Sequence, residues 1–420
     1  MLKIKNKTSS QKPKILYLDT AYTLKMLTER GLEQEFLSRE CGGYFEHVWG
    51  IHPFADVPEK RALKYEGFKF ETVKFSDNQT CIEGLSVYYS FLKHFYSLNF
   101  LVSQIRFLRF LIALVRKEQI DIIMAVDPYY NGLIGLFLKV FTKAKLAIWV
   151  CANSDEVYKS TGVIAMPRLF KRRWVEKIIE KIVFKKADLV AGGNQNNLEF
   201  ALNNGAQVNK STVFPVGKLI HRQHVKKLEF RDKDVLFNSL KAKFIFIYVG
   251  RLIDIKFPND VLYAFSEINK IEADSALILA GDGVLKGELE KISLELNIQD
   301  KVHFVGNVNQ LRLANLLAGC FSVLSPLTGR SLIESALAGL PIVAYDRDWQ
   351  LDFVEKTGGG IIVPFRNWKK MADKAVYLIQ NPIEAKKYGA AARAAGLEIC
   401  DLEKLYGHEK NEFNKLLKSR

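Results

Sequence analysis

Short apolar runs alternate with longer amphipathic stretches along most of the chain, and this pattern limits the possible folds more than any other feature. In the first half the runs are Lys14–Asp19, Asp121–Asp127, Lys145–Val150 and Ala187–Gly193, and the second half begins with Lys243–Gly250 and Ala276–Gly283. Between such runs lie stretches with helical spacing of apolar residues, for example Asp260–Ile271. This alternation predicts β-α units, and therefore an α/β fold in which helices cover both faces of parallel sheets.

The chain has 420 residues, two to three times the length of a typical domain, so we expect more than one domain. A polar and charged stretch, Val216–Asp234, interrupts the apolar pattern near the middle. We therefore predict a first domain over 1–222 and a second over 223–395, with the tail, about 396–420, as a segment that could pack back on the first. Open parallel sheets bind ligands beyond the carboxyl ends of their strands, so we expect the ligand site in a cleft between the domains.

The composition, 48% hydrophobic and 25% charged residues, is that of a folded protein and excludes a disordered, collagen-like or polytopic membrane chain. The one candidate for a membrane span, Leu98–Val115, carries Arg106 and Arg109 near its centre, so we predict that it does not span. No apolar segment follows the basic amino terminus, and we expect no signal peptide. The five cysteines form no CxxC pair, which argues against a disulfide framework or structural zinc site and favours a cytoplasmic protein.

The net charge of +15, from 61 basic and 46 acidic residues, predicts a polyanionic partner: nucleic acid, an anionic membrane or a phosphorylated substrate. In Arg168–Lys186, eight of nineteen residues are cations that alternate with apolar residues, and we favour contact with an anionic membrane. A second stretch, Tyr88–Lys117, is rich in aromatic residues. For this one we favour a helix packed on the sheet just before the strand Ile120–Val126. We expect peripheral binding to the cytosolic face of a membrane.

The strongest candidate site opens the second half of the chain. Gly250 and Arg251 directly follow a predicted strand, and Lys256 stands five residues further on, just before a predicted helix. Such a junction offers free backbone N–H groups, to which a guanidinium and an ammonium add positive charge suited to a diphosphate. The alternative is a pair of solvated surface cations.

Two further loops follow predicted strands. Gly281-Asp282-Gly283 either lets the backbone approach a ligand closely or simply makes a turn. Thr328-Gly329-Arg330 predicts a tight loop before a helix that opens near Ser331, with Glu334 in its first turn. Glu334 could accept hydrogen bonds from a ribose diol while the loop faces phosphate. The alternative is a capping box, with Ser331 as the N-cap and Glu334 as its partner.

Together these segments resemble glycosyltransferase family 4. The similarity covers about Phe244 to Pro382 and rests on five segments in the family's order: YVGRL followed by Lys256, LILAGDG, VHFVGNV, SLIESALAGLPIVAYD and TGGGIIVP. Weaker echoes in the first half are EKIVFKKADLVAGGNQ and VFPVGK. The resemblance implies the GT-B fold, two facing Rossmann-like domains with an interdomain cleft. It also implies a retaining, metal-independent transferase that takes the sugar from a UDP- or GDP-sugar.

The resemblance also assigns roles to residues. Arg251 and Lys256 would hold the donor diphosphate and stabilise the departing nucleotide, with Gly250, Gly281, Asp282 and Gly283 beside them. Glu334 would be the second glutamate of the family's E-x7-E motif and contact the ribose. The position of the first glutamate is Pro326, and Thr328, Gly329, Arg330 and Ser331 stand where the family holds the transferred sugar. The usual asparagine-glycine before the second domain is altered to Val216-Gly217-Lys218.

The first half would bind the acceptor, a glycan or a lipid-linked sugar in cell-surface polysaccharide synthesis. The candidates are residues at predicted strand ends: Asp19, Thr20, Asp127, Asn153 and Asp155. For each of them we favour a cap or turn role over a catalytic one. Many relatives place a histidine in this region, where the chain here reads CANSDEVY, so no histidine role is carried over.

The sequence leaves three other functions open. The absent first glutamate allows a catalytically silent nucleotide-sugar-binding subunit of a transferase complex. An epimerase of the same fold would need clustered acid and base residues, and the seven histidines form no cluster in the sequence. Nucleic-acid binding is suggested by charge alone, without a recognisable motif, and we expect no nucleic-acid partner.

Overall fold

The computed structural model describes residues 12–29, 31–55, 70–86, 89–167, 169–226, 234–240, 242–327 and 329–419. The chain forms two compact units. The N-terminal unit comprises Met1–Thr28, Glu35–Pro215 and Glu403–Arg420, and the C-terminal unit comprises Glu29–Gln34 and Val216–Leu402. The sequence placed these transitions at residue 223 and near residue 396, whereas in the structure they fall at Val216 and Glu403.

The N-terminal unit contains an eight-stranded sheet in the order β3-β4-β2-β1-β5-β6-β7-β8. All neighbouring strands are parallel except β3 and β4. The strands are β1 (Lys14–Leu18), β2 (His47–His52), β3 (Glu71–Ser76), β4 (Gln79–Glu83), β5 (Ile122–Ala125), β6 (Lys145–Val150), β7 (Leu189–Gly192) and β8 (Ser211–Val213). The central strand β1 is buried on both faces, as its continuous apolar sequence predicts.

The C-terminal unit contains a six-stranded, entirely parallel sheet in the order β11-β10-β9-β12-β13-β14. The strands are β9 (Phe244–Val249), β10 (Ser275–Ala280), β11 (Val302–Gly306), β12 (Ser322–Ser325), β13 (Ile342–Tyr345) and β14 (Gly360–Val363). Along β9, Phe246 and Tyr248 enter one hydrophobic core while Ile245 and Ile247 enter another on the opposite face. The predicted α/β fold with parallel sheets covered on both faces is therefore confirmed.

The helices of the N-terminal unit are α1 (Leu24–Glu29), α2 (Glu33–Leu37), α3 (Tyr96–Glu118), α4 (Tyr130–Phe141), α5 (Ser154–Thr161), α6 (Arg173–Lys186) and α7 (Gln195–Asn203). The last residue of α1 and the first two of α2 fall in the segment assigned to the C-terminal unit. Those of the C-terminal unit are α8 (Arg222–Val225), α9 (Pro258–Ile271), α10 (Lys286–Glu295), α11 (Gln310–Gly319), α12 (Ser331–Leu337), α13 (Trp349–Thr357), α14 (Trp368–Gln380) and α15 (Pro382–Ile399). The last helix, α16 (Leu402–Lys418), returns to the N-terminal unit, where Phe413 is fully buried against Phe45 and Phe214.

Each sheet has one point at which the chain reverses its direction of growth. In the C-terminal unit, β9, β10 and β11 extend the sheet one way, and β12 then pairs with the other side of β9. In the N-terminal unit the reversal lies between β1 and β5. Loops at such a switch point diverge to opposite faces and leave a crevice at the carboxyl ends of the strands, the usual ligand position in open α/β sheets.

The core of the C-terminal unit depends on large side chains such as Phe265 of α9, which is fully buried. Replacement by alanine removes packing and leaves a cavity, so we expect Phe265→Ala to lower the free energy of unfolding by about 3–5 kcal/mol. Leu311→Ala, at a half-exposed position of α11, is the control and should change it by less than about 0.5 kcal/mol. Urea unfolding followed by circular dichroism measures both. Equal effects of the two changes would contradict this packing.

Candidate functional site

Hydrogen bonds to backbone carbonyls fix the loop after β9, while the side chain of Arg251 in this loop remains exposed to solvent. The N–H of Leu252 donates to the carbonyl of Asp282 at 3.0 Å, and the Tyr248 hydroxyl donates to the carbonyl of Arg251 at 2.9 Å. The side chain of Arg251 is exposed. Within the described ranges its guanidinium makes no hydrogen bond or ion pair.

Lys256 lies close enough to Arg251 for the two charges to interact. Lys256 ends a 3-10 helix, Asp254–Lys256, and Phe257 then takes a left-handed conformation, with φ of 50°, before Pro258 starts α9. Burial lowers the pKa of Lys256, Asp348 opposes this effect, and the positive charge of Arg251 adds to it. The Lys256 ammonium also lacks a hydrogen-bond or ion-pair partner among the residues the structure describes. Two neighbouring cations whose side chains make no hydrogen bond or ion pair within the described residues favour an anionic ligand.

The glycines of Gly281-Asp282-Gly283 are required by contacts within the protein. A Cβ atom on Gly281 would lie 1.9 Å from the carbonyl oxygen of Gly250, and one on Gly283 would lie 2.2 Å from that of Leu252. Gly281 also has a φ of 150°. The Asp282 carboxylate accepts the N–H of Gly283 at 2.8 Å and is exposed. These glycines therefore allow two loops of the chain to pack closely against each other, and this contact sets the position of Arg251.

The loop after β12 ends next to the same strand. Ser331 begins α12, and its hydroxyl donates to the carbonyl of Val249, the last residue of β9, at 2.9 Å. The capping-box interpretation is wrong, because the N-cap is Arg330 and no side chain caps this helix. The Ser331 hydroxyl instead ties α12 to the switch point. Gly329 is exposed and Arg330 is partly buried, while Thr328 lies outside the described residues.

Pro326 stands where glycosyltransferase family 4 has the first glutamate of its E-x7-E motif. It is buried, and Gln350 holds its backbone in place. Its carbonyl accepts from the Nε2 of Gln350 at 3.0 Å, and the same amide nitrogen donates to the carbonyl of Tyr345 at 2.9 Å. Gln350 is fully buried. This side chain therefore joins the ends of β12 and β13, a connection that the sequence pattern did not indicate.

Glu334 is buried, with 8% of its surface exposed. In the described parts of the chain its carboxylate makes no hydrogen bond or ion pair. Burial raises the pKa of the neighbouring Cys400 thiol to about 12, and the charge of Glu334 contributes to the shift. Burial lowers the pKa of His221, which the charges of Glu33 and Glu334 partly oppose. A carboxylate in this state can accept hydrogen bonds from a ligand.

His221 was missed because it lies in Val216–Asp234, which the sequence marked only as a polar interruption. In the same stretch Gly217 packs so closely that a Cβ atom would lie 2.0 Å from the carbonyl of Ile399. Lys218 is buried, with 2% exposed. The stretch is therefore packed in its described part, up to residue 226, and brings His221 within electrostatic range of Glu334.

In the N-terminal unit, three of the predicted residues meet at the switch point between β1 and β5. The side-chain amide of Asn131 donates to Thr20 Oγ1 at 3.3 Å and to the carboxylate of Asp127. Asp127 also accepts the N–H of Tyr129 at 2.8 Å. Burial raises the pKa of Asp127 to about 6, and the charge of Asp19 contributes to the increase.

Asp19 connects this group to residues that the sequence did not single out. Its carboxylate accepts the N–H of Ala21 at 2.8 Å and forms an ion pair with Arg39. His52, at the end of β2, lines the same pocket as Asp19 and Arg39. Burial lowers the pKa of His52, against the opposing charge of Asp19. Residues so distant in sequence come together only through the strand order, which no local pattern predicts.

The remaining two candidates have other partners. Asn153 caps α5 by accepting the N–H of Glu156 at 3.1 Å, as the cap alternative predicted. Asp155 pairs with Arg173 at 2.8 Å and with Lys177 at 2.6 Å. Although burial alone would raise it, hydrogen bonds from Lys177, Asn204 and Arg173 hold the pKa of Asp155 below its ordinary value. Among the described residues, no group of three or more His, Cys, Asp or Glu side chains is arranged to hold a metal ion.

The raised pKa of Asp127 gives a pH-dependent stability with a definite sign. The folded state binds a proton up to about pH 6, whereas an unfolded aspartate loses it near pH 3.9, so this stabilisation is complete at low pH and lost as the pH rises to about 6. We expect the wild type to lose about 1 kcal/mol more stability than Asp127→Asn between pH 5 and pH 8. Urea unfolding at both pH values measures this. Asp300→Asn, at an exposed carboxylate, should behave as the wild type, and an unchanged pH dependence in Asp127→Asn would contradict the assignment.

Comparison with known proteins gives a family match for the C-terminal unit. Residues 231–395 match the family of glycosyl transferases group 1. One curated relative is the Campylobacter jejuni N-acetylgalactosamine-N,N'-diacetylbacillosaminyl-diphospho-undecaprenol 4-alpha-N-acetylgalactosaminyltransferase. It is 27% identical over 216 residues, which are 51% of this chain and 54% of the relative. The chain spans about half the length of the curated relatives it matches.

Two solved structures resemble the chain over nearly its whole length. The sucrose-phosphate synthase of Thermosynechococcus elongatus has a TM-score of 0.76 and 16% identity, covering 96% of this chain and 99% of that one. Anabaena HepE, solved in complex with UDP and glucose, has a TM-score of 0.71 and 16% identity, covering 96% of this chain and 100% of that one. At such identities the likeness establishes the fold, and the expected GT-B fold is confirmed.

Proposed function

Because residues 231–395 belong to the glycosyl transferases group 1 family and the chain has the GT-B fold, we propose that the protein is a glycosyltransferase. It moves a sugar, with retention of the anomeric configuration, from a nucleotide-sugar donor to a glycan or lipid-linked acceptor in cell-surface polysaccharide synthesis. HepE was solved with UDP and glucose bound, which supports a UDP-sugar here, with a GDP-sugar as the alternative. The C. jejuni relative is named for a diphospho-undecaprenol acceptor, which supports a lipid-linked one.

The observation that carries the proposal is the pair Arg251 and Lys256 at the switch point of the C-terminal sheet. Sugar transfer separates a nucleoside diphosphate, whose negative charge grows, from a sugar that becomes positively charged. Cations already held in place stabilise that charge without reorganising during the reaction. A guanidinium can grip a phosphate with two hydrogen bonds, and an ammonium adds a point charge. The leaving diphosphate can itself take the acceptor proton, so no strong base is required of the protein.

Glu334 supplies the second contact in the proposed site. Its buried carboxylate has hydrogen-bonding capacity that the described residues leave unused. A ribose diol would satisfy it with two charge-assisted hydrogen bonds. The segment Pro326–Ser331, whose end is tied to β9, would then lie against the transferred sugar. Gln350 holds the Pro326 carbonyl, so the backbone at Pro326 would help to position the sugar where relatives in the family use a glutamate.

The acceptor side is proposed for the N-terminal unit, at Asp19, Thr20 and Asp127. A carboxyl whose pKa lies near 6 can accept a hydrogen bond from an acceptor hydroxyl at neutral pH, where it is ionised. Asn131 and the N–H of Tyr129 hold that carboxyl in one orientation. The ion pair with Arg39 holds Asp19 in place, and the negative charge of Asp19 helps to raise the pKa of Asp127.

A second candidate function is a catalytically silent subunit that binds a nucleotide sugar. Pro326 favours it, because a proline at the place of the first glutamate removes a side chain that could contact the transferred sugar. Both functions predict donor binding by the two cations. They differ in turnover, since an active transferase also hydrolyses its donor slowly in the absence of acceptor.

Loss of either cation should abolish donor binding. We expect UDP-glucose or another member of a nucleotide-sugar panel, at 100 times its dissociation constant, to stabilise the wild type by about 2.7 kcal/mol. Arg251→Ala and Lys256→Ala should remove this stabilisation, measured by thermal shift, and lower the rate of transfer or donor hydrolysis by about 10²–10³-fold. Lys374→Ala, at an exposed lysine of α14, is the matched control.

Three outcomes are informative in that experiment. Binding and turnover that both depend on Arg251 and Lys256 support the transferase. Binding without turnover of radiolabelled donor, with any acceptor fraction tested, supports the silent subunit. Donor binding that survives both substitutions would show that the diphosphate lies elsewhere.

Glu334 can be tested through the sugar hydroxyls of the nucleotide. If its carboxylate holds the ribose diol, the wild type should bind UDP more tightly than 2′,3′-dideoxy-UDP by about 10-fold or more, because charged hydrogen bonds contribute about 1.5–3 kcal/mol. Glu334→Gln should bind the two nucleotides almost equally. Isothermal titration calorimetry measures all four affinities, and an undiminished preference for UDP in Glu334→Gln would exclude the contact. If GDP-sugars bind instead, the guanosine pair serves in the same way.

A further inference from the structure

One side of the N-terminal unit is formed by three adjacent helices whose outer faces are apolar. The helix α4 packs between α3 and α6, and all three cover the same face of the sheet. They lie on that face because their right-handed crossovers run in the same direction, from β4 to β5, from β5 to β6 and from β6 to β7. We call the exposed apolar stripes of α3, α4 and α6 the three-helix surface.

The longest stripe belongs to α3. The face of this helix that includes Phe107 and Leu111 packs on the sheet, which confirms the interpretation of this stretch as a helix packed before β5. The opposite face carries Leu98, Leu101 and Ile105 at helical spacing, and Leu101 is 55% exposed. Among the described residues, α3 is also the one helix long and apolar enough, by length and composition, to cross a membrane. Its contacts with the sheet instead leave it lying on the surface of the unit.

The neighbouring helix α4 continues the apolar surface. Phe137 and Phe141 stack with ring centroids 6.5 Å apart, and Val140 beside them is 69% exposed. The guanidinium of Arg116 on α3 donates to the carbonyl of Phe141 at 2.7 Å and 3.2 Å, which joins the ends of the two helices. No acidic residue occurs in α4. The apolar stripes of α3 and α4 are therefore neighbours on one layer of helices.

The third stripe lies on α6, in the basic segment that the sequence assigned to membrane contact. Trp174, Ile178 and Ile182 recur at intervals of four residues, and Trp174 is 62% exposed. The acidic residues of α6, Glu176 and Glu180, are fully buried and pair with Arg173 at 2.9 Å and 2.6 Å. Negative charge is thus removed from the outer face of this helix. The residue that begins the predicted segment, Arg168, lies outside the described residues.

Exposed cations accompany the apolar stripes. Arg109 lies on the outer face of α3, and Lys181 and Lys185 lie on the outer face of α6. Within the ranges that the structure describes, these three side chains make no ion pair. The acidic residue of α3, Glu118, is partly buried and faces Lys117 at 3.4 Å. The surface therefore combines large apolar side chains with positive charge that acidic neighbours do not neutralise.

We propose that the three-helix surface docks on an anionic lipid bilayer, with its apolar stripes in the headgroup–acyl boundary and its cations against lipid phosphates. Such surfaces bury apolar side chains about 5–10 Å into that boundary, and each nearby cation strengthens binding about fivefold. A second copy of the chain is the less suitable occupant, because a symmetric dimer would bring the same cations face to face. This inference does not depend on sugar transfer, since docking needs no donor.

The test is co-sedimentation of the full chain with vesicles at low salt. Phosphatidylcholine vesicles containing 30% phosphatidylglycerol should bind it, and pure phosphatidylcholine vesicles should bind it far more weakly. The charge variant, Arg109→Gln with Lys181→Gln and Lys185→Gln, should weaken binding by about 100-fold. Its control, Lys291→Gln with Lys374→Gln and Lys386→Gln, removes the same charge from exposed positions of the C-terminal unit and should bind as the wild type does.

The apolar part of the proposal is tested separately. The apolar variant, Leu101→Gln with Val140→Gln and Ile178→Gln, should weaken vesicle binding at least 10-fold and reduce its resistance to salt. Its control, Val284→Gln with Leu311→Gln and Ile383→Gln, changes exposed apolar residues of the C-terminal unit. All six positions are at the surface, so the variants should keep the circular dichroism spectrum and melting temperature of the wild type.

Trp174 reports the depth of docking directly. It is far more exposed than the buried Trp49 and Trp149, so anionic vesicles should shift its emission to the blue, and lipids brominated near the headgroup should quench it. Trp174→Phe should remove most of both signals while the protein still sediments with vesicles. Failure to bind anionic vesicles, or binding unchanged in both the charge and apolar variants, would overturn the proposal. So would a concentration-dependent dimer, seen by sedimentation, that the apolar variant dissolves without any vesicle binding.

Discussion

Two positive charges, Arg251 and Lys256, are held together by the backbone at one end of β9, and the proposed site is built around them. Glycines at 281 and 283 let the loop after β10 press against the loop after β9, and this contact fixes the position of Arg251. The left-handed turn at Phe257 and the proline after it place Lys256 at the start of α9. Two cations so placed repel each other, and an anion between or beside them relieves that repulsion. A nucleoside diphosphate suits this site, because the cations can bind its phosphates while the buried carboxylate of Glu334 can accept hydrogen bonds from its ribose.

Both sheets have a switch point beside a central strand, but the side chains at the two switch points carry opposite charges. In the C-terminal unit the switch point carries cations and a buried glutamate, whereas in the N-terminal unit it carries aspartates with amide and hydroxyl neighbours. Strand order decides both, because reversal of the chain beside a central strand opens a crevice at the carboxyl ends. The three-helix surface follows from the same connectivity: helices that cross in one direction accumulate on one face, and their outer sides form a continuous layer.

The sequence predicted those parts of the structure that depend on local pattern. The six strands predicted from apolar runs were found within three residues at each end, because runs covered on both faces are uniformly apolar, and β10 ends at Ala280, before Gly281 with its φ of 150°. The buried strand β2 was not predicted, because histidines and a glycine interrupt its apolar residues. The placement of Arg251 and Lys256 between a strand and a helix was predictable because the residues of such a junction are adjacent in the chain; their part in donor binding stays a prediction. The helix after β12 was predicted correctly, but the predicted capping box was wrong. The Ser331 hydroxyl donates instead to a strand residue eighty-two positions away in the chain. Contacts such as those of Gln350, His52 and Asn131 join distant segments and have no local signature.

The most direct test of the central claim is a crystal structure of the protein with a bound nucleotide sugar, or with the nucleoside diphosphate that it releases. We expect diphosphate oxygens within hydrogen-bonding distance of both the Arg251 guanidinium and the Lys256 ammonium, with the ribose hydroxyls hydrogen-bonded to Glu334. A nucleotide bound at another edge of the sheet, with both cations facing solvent, would contradict this expectation.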